Sequence, residues 1–173
     1  LRRVFLITLN LAKSVTSNII ENKLDLLKNA LTLEAANNQL ANHCHRLLIK
    51  YGYKDYIKTS FFYIIAWNLE KLADEYKYLI EYFCGKKDLK LNKSLIEVLE
   101  ASLNSFEDCY KLFYKFDINN LNDIPLNLKE LKRKIINNPD KLSKEDILLY
   151  SYLLKILDRL DNFASPFLAA NLR

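Results

Sequence analysis

LEKLADEYKYLIEYF, residues 69–83, decides how the chain is read. On a helical wheel Leu69, Leu72, Ala73, Tyr76, Leu79, Ile80 and Phe83 fall into one apolar arc, the pattern of a helix that buries one face. Glu70 and Asp74 sit on the shoulder of that arc, one turn apart, with Cβ atoms about 5–6 Å from each other. Two like charges so placed repel by about a few tenths of a kcal/mol unless a cation lies between them. Two arrangements would neutralise the pair: Lys71 and Lys77 in solvent, or a metal ion in a groove.

This stretch is the second half of a helical run that begins near Asp55, a residue type suited to an N-cap, and stops at Gly85. At about 1.5 Å per residue, this third helix would be about 45 Å long. It needs neighbours of similar length. Upstream, Val4, Phe5, Leu9, Leu11, Ala12, Val15 and Ile19 place a first helix over 1–21, and Asn22 and Lys23 read as a tight turn. A second helix follows over 24–51 and is closed by Gly52 at a left-handed C′ position. Downstream, KKDLKLNK (86–93) reads as a loop, and Ser94 opens SLIE, a capping-box pattern for a fourth helix running to 116. DINNLNDIP (117–125) reads as irregular, with Pro125 placed to start a fifth helix over 126–138 that stops at Pro139. Ser143 opens SKED, a second capping-box pattern, for a sixth helix to 164; Ser165 and Pro166 break it, leaving FLAANLR as a short helix or tail.

Composition agrees with this reading. Half of the 173 residues are hydrophobic, yet there are only two glycines and three prolines, which favours long helices joined by short turns. The expected fold class is all-α, an elongated bundle in one domain spanning 1–173. The longest apolar run, FFYIIAW (61–67), falls far short of the roughly 20 residues of a membrane span. The start, LRRVFLITLNLAKSV, has no initiating Met and no small-residue cleavage site after it, and reads as a domain excised from a longer chain whose N-terminal domain is missing. Cys44, Cys84 and Cys109 are odd in number and lack paired spacing, which suits packing in a reducing cytoplasm better than a disulfide framework. The net charge of +5 is spread along the chain, and the cluster Lys129, Lys132, Arg133 and Lys134 reads as a solvated helix face rather than a nucleic-acid site.

The order of helices conceals an approximate repeat. VFLITLN (4–10) aligns with VLEASLN (98–104), and LEKLADEY (69–76) with LDRLDNFA (157–164), so that two three-helix units, 1–85 and 93–164, follow one another. Under this alignment Asp158 falls on Glu70, Asn162 on Asp74, and Asp161 on Ala73. Asp161 should then face the core or a cleft beside Leu154, Leu157 and Leu160, where a carboxylate needs a partner. A bound cation, Arg159 or Lys155 would serve, unless the second unit is looser and leaves Asp161 wet.

Two consecutive three-helix units, each ending in a long helix with acid-x-x-x-acid spacing, resemble the PhoU family of phosphate-uptake regulators over nearly the whole chain. The most specific parts are Glu70 and Asp74 in LEKLADEY, the run NNQLANHCHRLLIKYGY (37–53), and the degenerate LDRLDNFA. The chain looks most like archaeal versions, in which such a module often follows an AbrB-type DNA-binding domain. The resemblance implies a cytoplasmic regulator, a partner of a phosphate ABC transporter or a signalling protein, and a homodimer. It also implies iron, zinc or magnesium held on the bundle surface by E/D-x-x-x-D pairs. Glu70 and Asp74 match that motif, Asp158 matches its first acid, and Asn162 replaces its second. Glu34 and Asn38 share the spacing on the second helix and would complete the first site. An amide at Asn162 contributes no charge, and Glu130 is followed at i+4 by Lys134, so one competent site is expected, in the first unit. Its oxygen ligands would suit magnesium, calcium, manganese or iron better than structural zinc.

Other chemistries fail on spacing. His43 and His45 are two apart on a helix and point to different sides, so they cannot share an ion. A ferritin-like di-iron site needs Glu-x-x-His, but Leu40 and Asn42 stand where the glutamates should be. Gly52 and Gly85 are too few for a phosphate loop, and no nucleophile-histidine pairing is recognisable, so catalysis is not expected. The rival to a metal-dependent regulator is a metal-free helical scaffold that dimerises or positions an attached DNA-binding domain.

Overall fold

The apolar arc of the opening stretch is the centre of the molecule in the computed structural model, which describes residues 1–87, 90–136 and 142–172. Leu69, Leu72, Ala73, Tyr76, Leu79, Ile80 and Phe83 are all fully buried. They lie on α3 (Thr59–Phe83), which packs against α1 (Arg2–Ile20), α2 (Leu31–Tyr51), α6 (Lys144–Asp161) and α7 (Ala164–Asn171). The remaining helices are α4 (Lys93–Tyr114) and α5 (Ile118–Ile136). No strand occurs among the described residues, and none of their helices is long and apolar enough to cross a membrane.

Two three-helix units are visible in the packing. Helices α1, α2 and α3 contact one another, as do α4, α5 and α6, and the units join where α1 meets α4 and α3 meets α6. Each joint therefore pairs helices of equal rank. Repeat-related side chains keep equivalent roles: Thr8 donates to its own helix at the Val4 carbonyl (2.8 Å) and Ser102 to the Leu99 carbonyl (2.7 Å), both buried. Phe5 fills the joint, its ring 5.8 Å from Phe106, 5.1 Å from Phe113 and 5.7 Å from Phe163.

Several helix ends differ from the sequence expectation. The second helix is divided, with a 3₁₀ segment over Leu24–Ala30 preceding α2, and another 3₁₀ turn, Tyr56–Lys58, precedes α3. At 25 residues, α3 is about 37 Å long rather than about 45 Å. The N-cap of α4 is Asn92, whose Oδ1 accepts from the Ser94 amide (2.9 Å) and hydroxyl (2.8 Å); Ser94 is not itself the cap. DINNLNDIP is mostly helical, because Asp117 Oδ1 accepts from the amides of Asn119 and Asn120 and starts α5 a full two turns before Pro125, which lies inside it. The expected stop at Pro139 falls outside the described residues. Ser143 caps α6 as predicted, in a reciprocal box with Asp146. That helix ends at Asp161 rather than 164, and Ser165 and Pro166 belong to the first turn of α7, where a proline is tolerated. Gly52 closes α2 at a positive φ of +69°, but as the C-cap itself and with a ψ of −173°, so it does not take the left-handed helical geometry expected of a C′ glycine.

Candidate functional site

The shoulder of α3 faces α2 and carries Trp67, Glu70, Lys71, Asp74 and Lys77 in successive turns, while α2 contributes Glu34 from its first turn. Lys71 Nζ lies between the two acids, 3.0 Å from Asp74 Oδ2 and 3.7 Å from Glu70 Oε1, and 4.9 Å from the centre of the Trp67 ring. Its hydrogen bond to Asp74 is the main cause of a pKa above the ordinary lysine value; attraction to Asp74 and Glu70 adds to it, and burial opposes it. Lys77 crosses to α2 and sits 3.4 Å from Glu34 Oε1. Attraction to Glu34 comes first among the causes that raise its pKa, followed by their hydrogen bond, with Glu81 and Asp74 adding smaller contributions against a small burial cost. Glu34 is buried, and its Oε1 also accepts from Asn38 Nδ2 at 2.7 Å.

Glu34 and Asn38 of α2 and Glu70 and Asp74 of α3 thus lie along the trough where the two helices meet, as two separate clusters, and each acid there has a lysine. Lys71 bridges the Glu70–Asp74 pair and offsets one of its two charges, while Lys77 pairs with Glu34. Asn38 Oδ1 is buried and has no hydrogen-bond partner among the described residues.

The second unit is different. Lys132 of α5 reaches Asp158 Oδ1 at 2.7 Å and Asp161 Oδ2 at 3.5 Å. Burial is the largest single influence on Lys132 and lowers its pKa, but the hydrogen bond and attraction to Asp158, then to Asp161, outweigh it and leave the value raised. Asp161 is half exposed rather than facing the core, and its cation is Lys132, not Arg159 or Lys155. The cause is the early end of α6: Asp161 is its last residue and Asn162 its exposed C-cap, so the counterpart of Asp74 stands past the helix. Asn162 contributes its main-chain carbonyl to Asn68 Nδ2 at 3.0 Å.

Sequence reasoning missed Glu75. It follows Leu72 by three residues and precedes Leu79 by four, a spacing that places an acid on the buried side, and it is paired with Arg159. His45 is buried 4.3 Å from the Tyr63 ring, and His43 is exposed, in keeping with their separate faces.

With this geometry in hand, the comparison that bears on the fold is with the crystal structure of the phosphate transport system regulatory protein PhoU from Streptococcus pneumoniae. The two superpose with a TM-score of 0.65 over 96% of this chain and 85% of that one, at 17% identity. The fold is PhoU-like. No family model matches the chain, and no curated protein matches its sequence.

A metal ion fits this trough poorly. Among the described residues no three of His, Cys, Asp and Glu converge as ligands. Two ammonium groups already lie against the three acids and offset two of their charges, and a cation entering between Glu70 and Asp74 would have to displace Lys71. These residues do not fit a multinuclear cluster.

Proposed function

We propose that the chain is a regulator of phosphate uptake that acts by binding a partner, a phosphate ABC transporter or a phosphate-signalling protein, and not by catalysis. The observation that supports this most is the likeness to a phosphate-transport regulatory protein along 96% of the chain. The trough between α2 and α3 is the face assigned to the partner: it combines the Trp67 ring with a ladder of acids and lysines, and the charges are fixed in alternation rather than summed into one sign. Such a surface favours specificity through matched charges. Lys71 and Lys77 hold its carboxylates in place, which makes the binding face independent of metal.

The test is phosphate uptake by cells of the source organism, with and without this chain, at high and low external phosphate. Unrepressed uptake at high phosphate in its absence is the expected result; identical uptake in all four conditions would sink the proposal. Metal analysis of protein purified without chelating tags addresses the metal. Negligible and equal metal in wild type and Glu70→Ala/Asp74→Ala is expected, whereas stoichiometric metal lost in the variant would restore the metal-dependent reading.

The scaffold reading is favoured by the same lysines, since carboxylates already held by side chains of the bundle need no ligand for it to fold. In that case the chain would dimerise for an attached AbrB-type DNA-binding domain, and sedimentation would find a stable dimer with no effect on phosphate uptake.

A further inference from the structure

The end of the bundle where α2 turns into α3 has an unusual surface. Six of the fifteen exposed large hydrophobic side chains among the described residues fall between positions 47 and 57, so the exposure is concentrated rather than scattered. Four are strongly exposed: Ile49 (74%), Tyr51 (69%), Tyr56 (80%) and Ile57 (62%). They flank Gly52, whose positive φ reverses the chain, so they project from both sides of one turn. Leu172, at the end of α7, is exposed beside Ile57.

The charges in this turn are mostly positive. Arg46, Lys50, Lys54 and Lys58 stand against the single acid Asp55, which lies 4.0 Å from Lys58. Arg46, Lys50 and Lys54 are exposed and have no carboxylate partner among the described residues; Lys50 Nζ lies 5.0 Å from the Tyr51 ring. Tyrosines and isoleucines that project beside unpaired cations are the combination that settles at a lipid headgroup layer, with the rings at the interface and the ammonium groups on phosphate.

We infer that this turn docks the protein on an anionic membrane surface. Its apolar tips enter the headgroup region, while Arg46, Lys50 and Lys54 contact lipid phosphates. A fluid anionic surface conforms to such a turn and meets its cations together with its apolar tips. The inference stands apart from the trough between α2 and α3 and does not depend on the phosphate reading.

Vesicle flotation tests it, with phosphatidylcholine alone and with about one third phosphatidylglycerol, at low and high salt. The expected result is binding to the anionic vesicles only, weakened by salt. Tyr56→Ser/Ile57→Ser and Lys50→Glu/Lys54→Glu should each lower vesicle affinity by about tenfold or more, with unchanged melting temperature because the side chains are exposed. Lys129→Glu/Lys134→Glu on α5 should leave binding intact. Absence of anionic-vesicle binding, an equal loss from both charge reversals, or full binding by Tyr56→Ser/Ile57→Ser would each overturn the inference. So would concentration-dependent self-association that depends on Tyr56 and Ile57 without lipid binding, since the turn would then be a contact between copies.

Discussion

Arg159 of α6 and Glu75 of α3 join the two three-helix units through a forked contact: Nε and Nη2 of the guanidinium both donate to Oε1, at 3.2 and 3.1 Å. Glu75 is buried to 6% exposure, and Arg159 keeps 37%. Removing the cation would leave a carboxylate out of water with no charge to balance it. Arg159→Ala is expected to cost about 2 kcal/mol, less than the roughly 3–5 of a fully buried pair because the arginine is partly solvated. Glu75→Leu/Arg159→Leu should recover most of the loss. Urea unfolding of the three variants measures it, and a double variant as weak as the single one would contradict this account.

Alkaline pH should loosen the trough. Lys71 and Lys77 both have folded-state pKa values raised above 10.5, so their contribution is complete below that pH and is lost as pH climbs through the raised values. Melting temperature should therefore fall more steeply above pH 10.5 in wild type than in Lys71→Met/Lys77→Met. Parallel curves would show that the lysines do not hold the acids.

Phe5 sits where both units share one cluster of rings. Phe5→Ala should cost about 3–5 kcal/mol, the usual range for emptying a buried aromatic site. Trp67 is the only tryptophan and reports on the first unit, whereas circular dichroism reports on both. Their unfolding midpoints should coincide in wild type. Separate midpoints would mean that the joint does not couple the units.

Cys109 is buried, and burial pushes its thiol far above the ordinary range, so it should resist thiol reagents in the native state. Cys44 and Cys84 are half-buried. A thiol titration should count these two first and Cys109 only after denaturant is added. Three thiols reacting at once would argue against the packing of α4.

Local periodicity carried the fold, because burial of one helix face is written at 3.6-residue spacing. Every residue of the arc from Leu69 to Phe83 is buried, and Glu70 and Asp74 lie at its edge as their angles require. Helix ends were less legible. Pro125 competes with Asp117 as a helix start in the sequence, and the Asp117 cap prevails: Leu121, Ile124 and Leu128 are buried at helical spacing before and after the proline. The charge partners were the least legible. Lys77 meets Glu34 across 43 residues and Lys132 meets Asp161 across 29, distances at which spacing carries no information about contact. The alternative of lysine neutralisation was visible beside Glu70 and Asp74; which lysine served which acid was not.

The early end of α6 has a consequence for stoichiometry. A duplicated bundle with two complete long helices could present two equivalent grooves and engage two partners, or one partner in either of two poses. Because the second copy stops at Asp161, only the first retains a full acidic rung. Under the proposed function, a partner that reads this rung would find one of them on each chain, in one orientation.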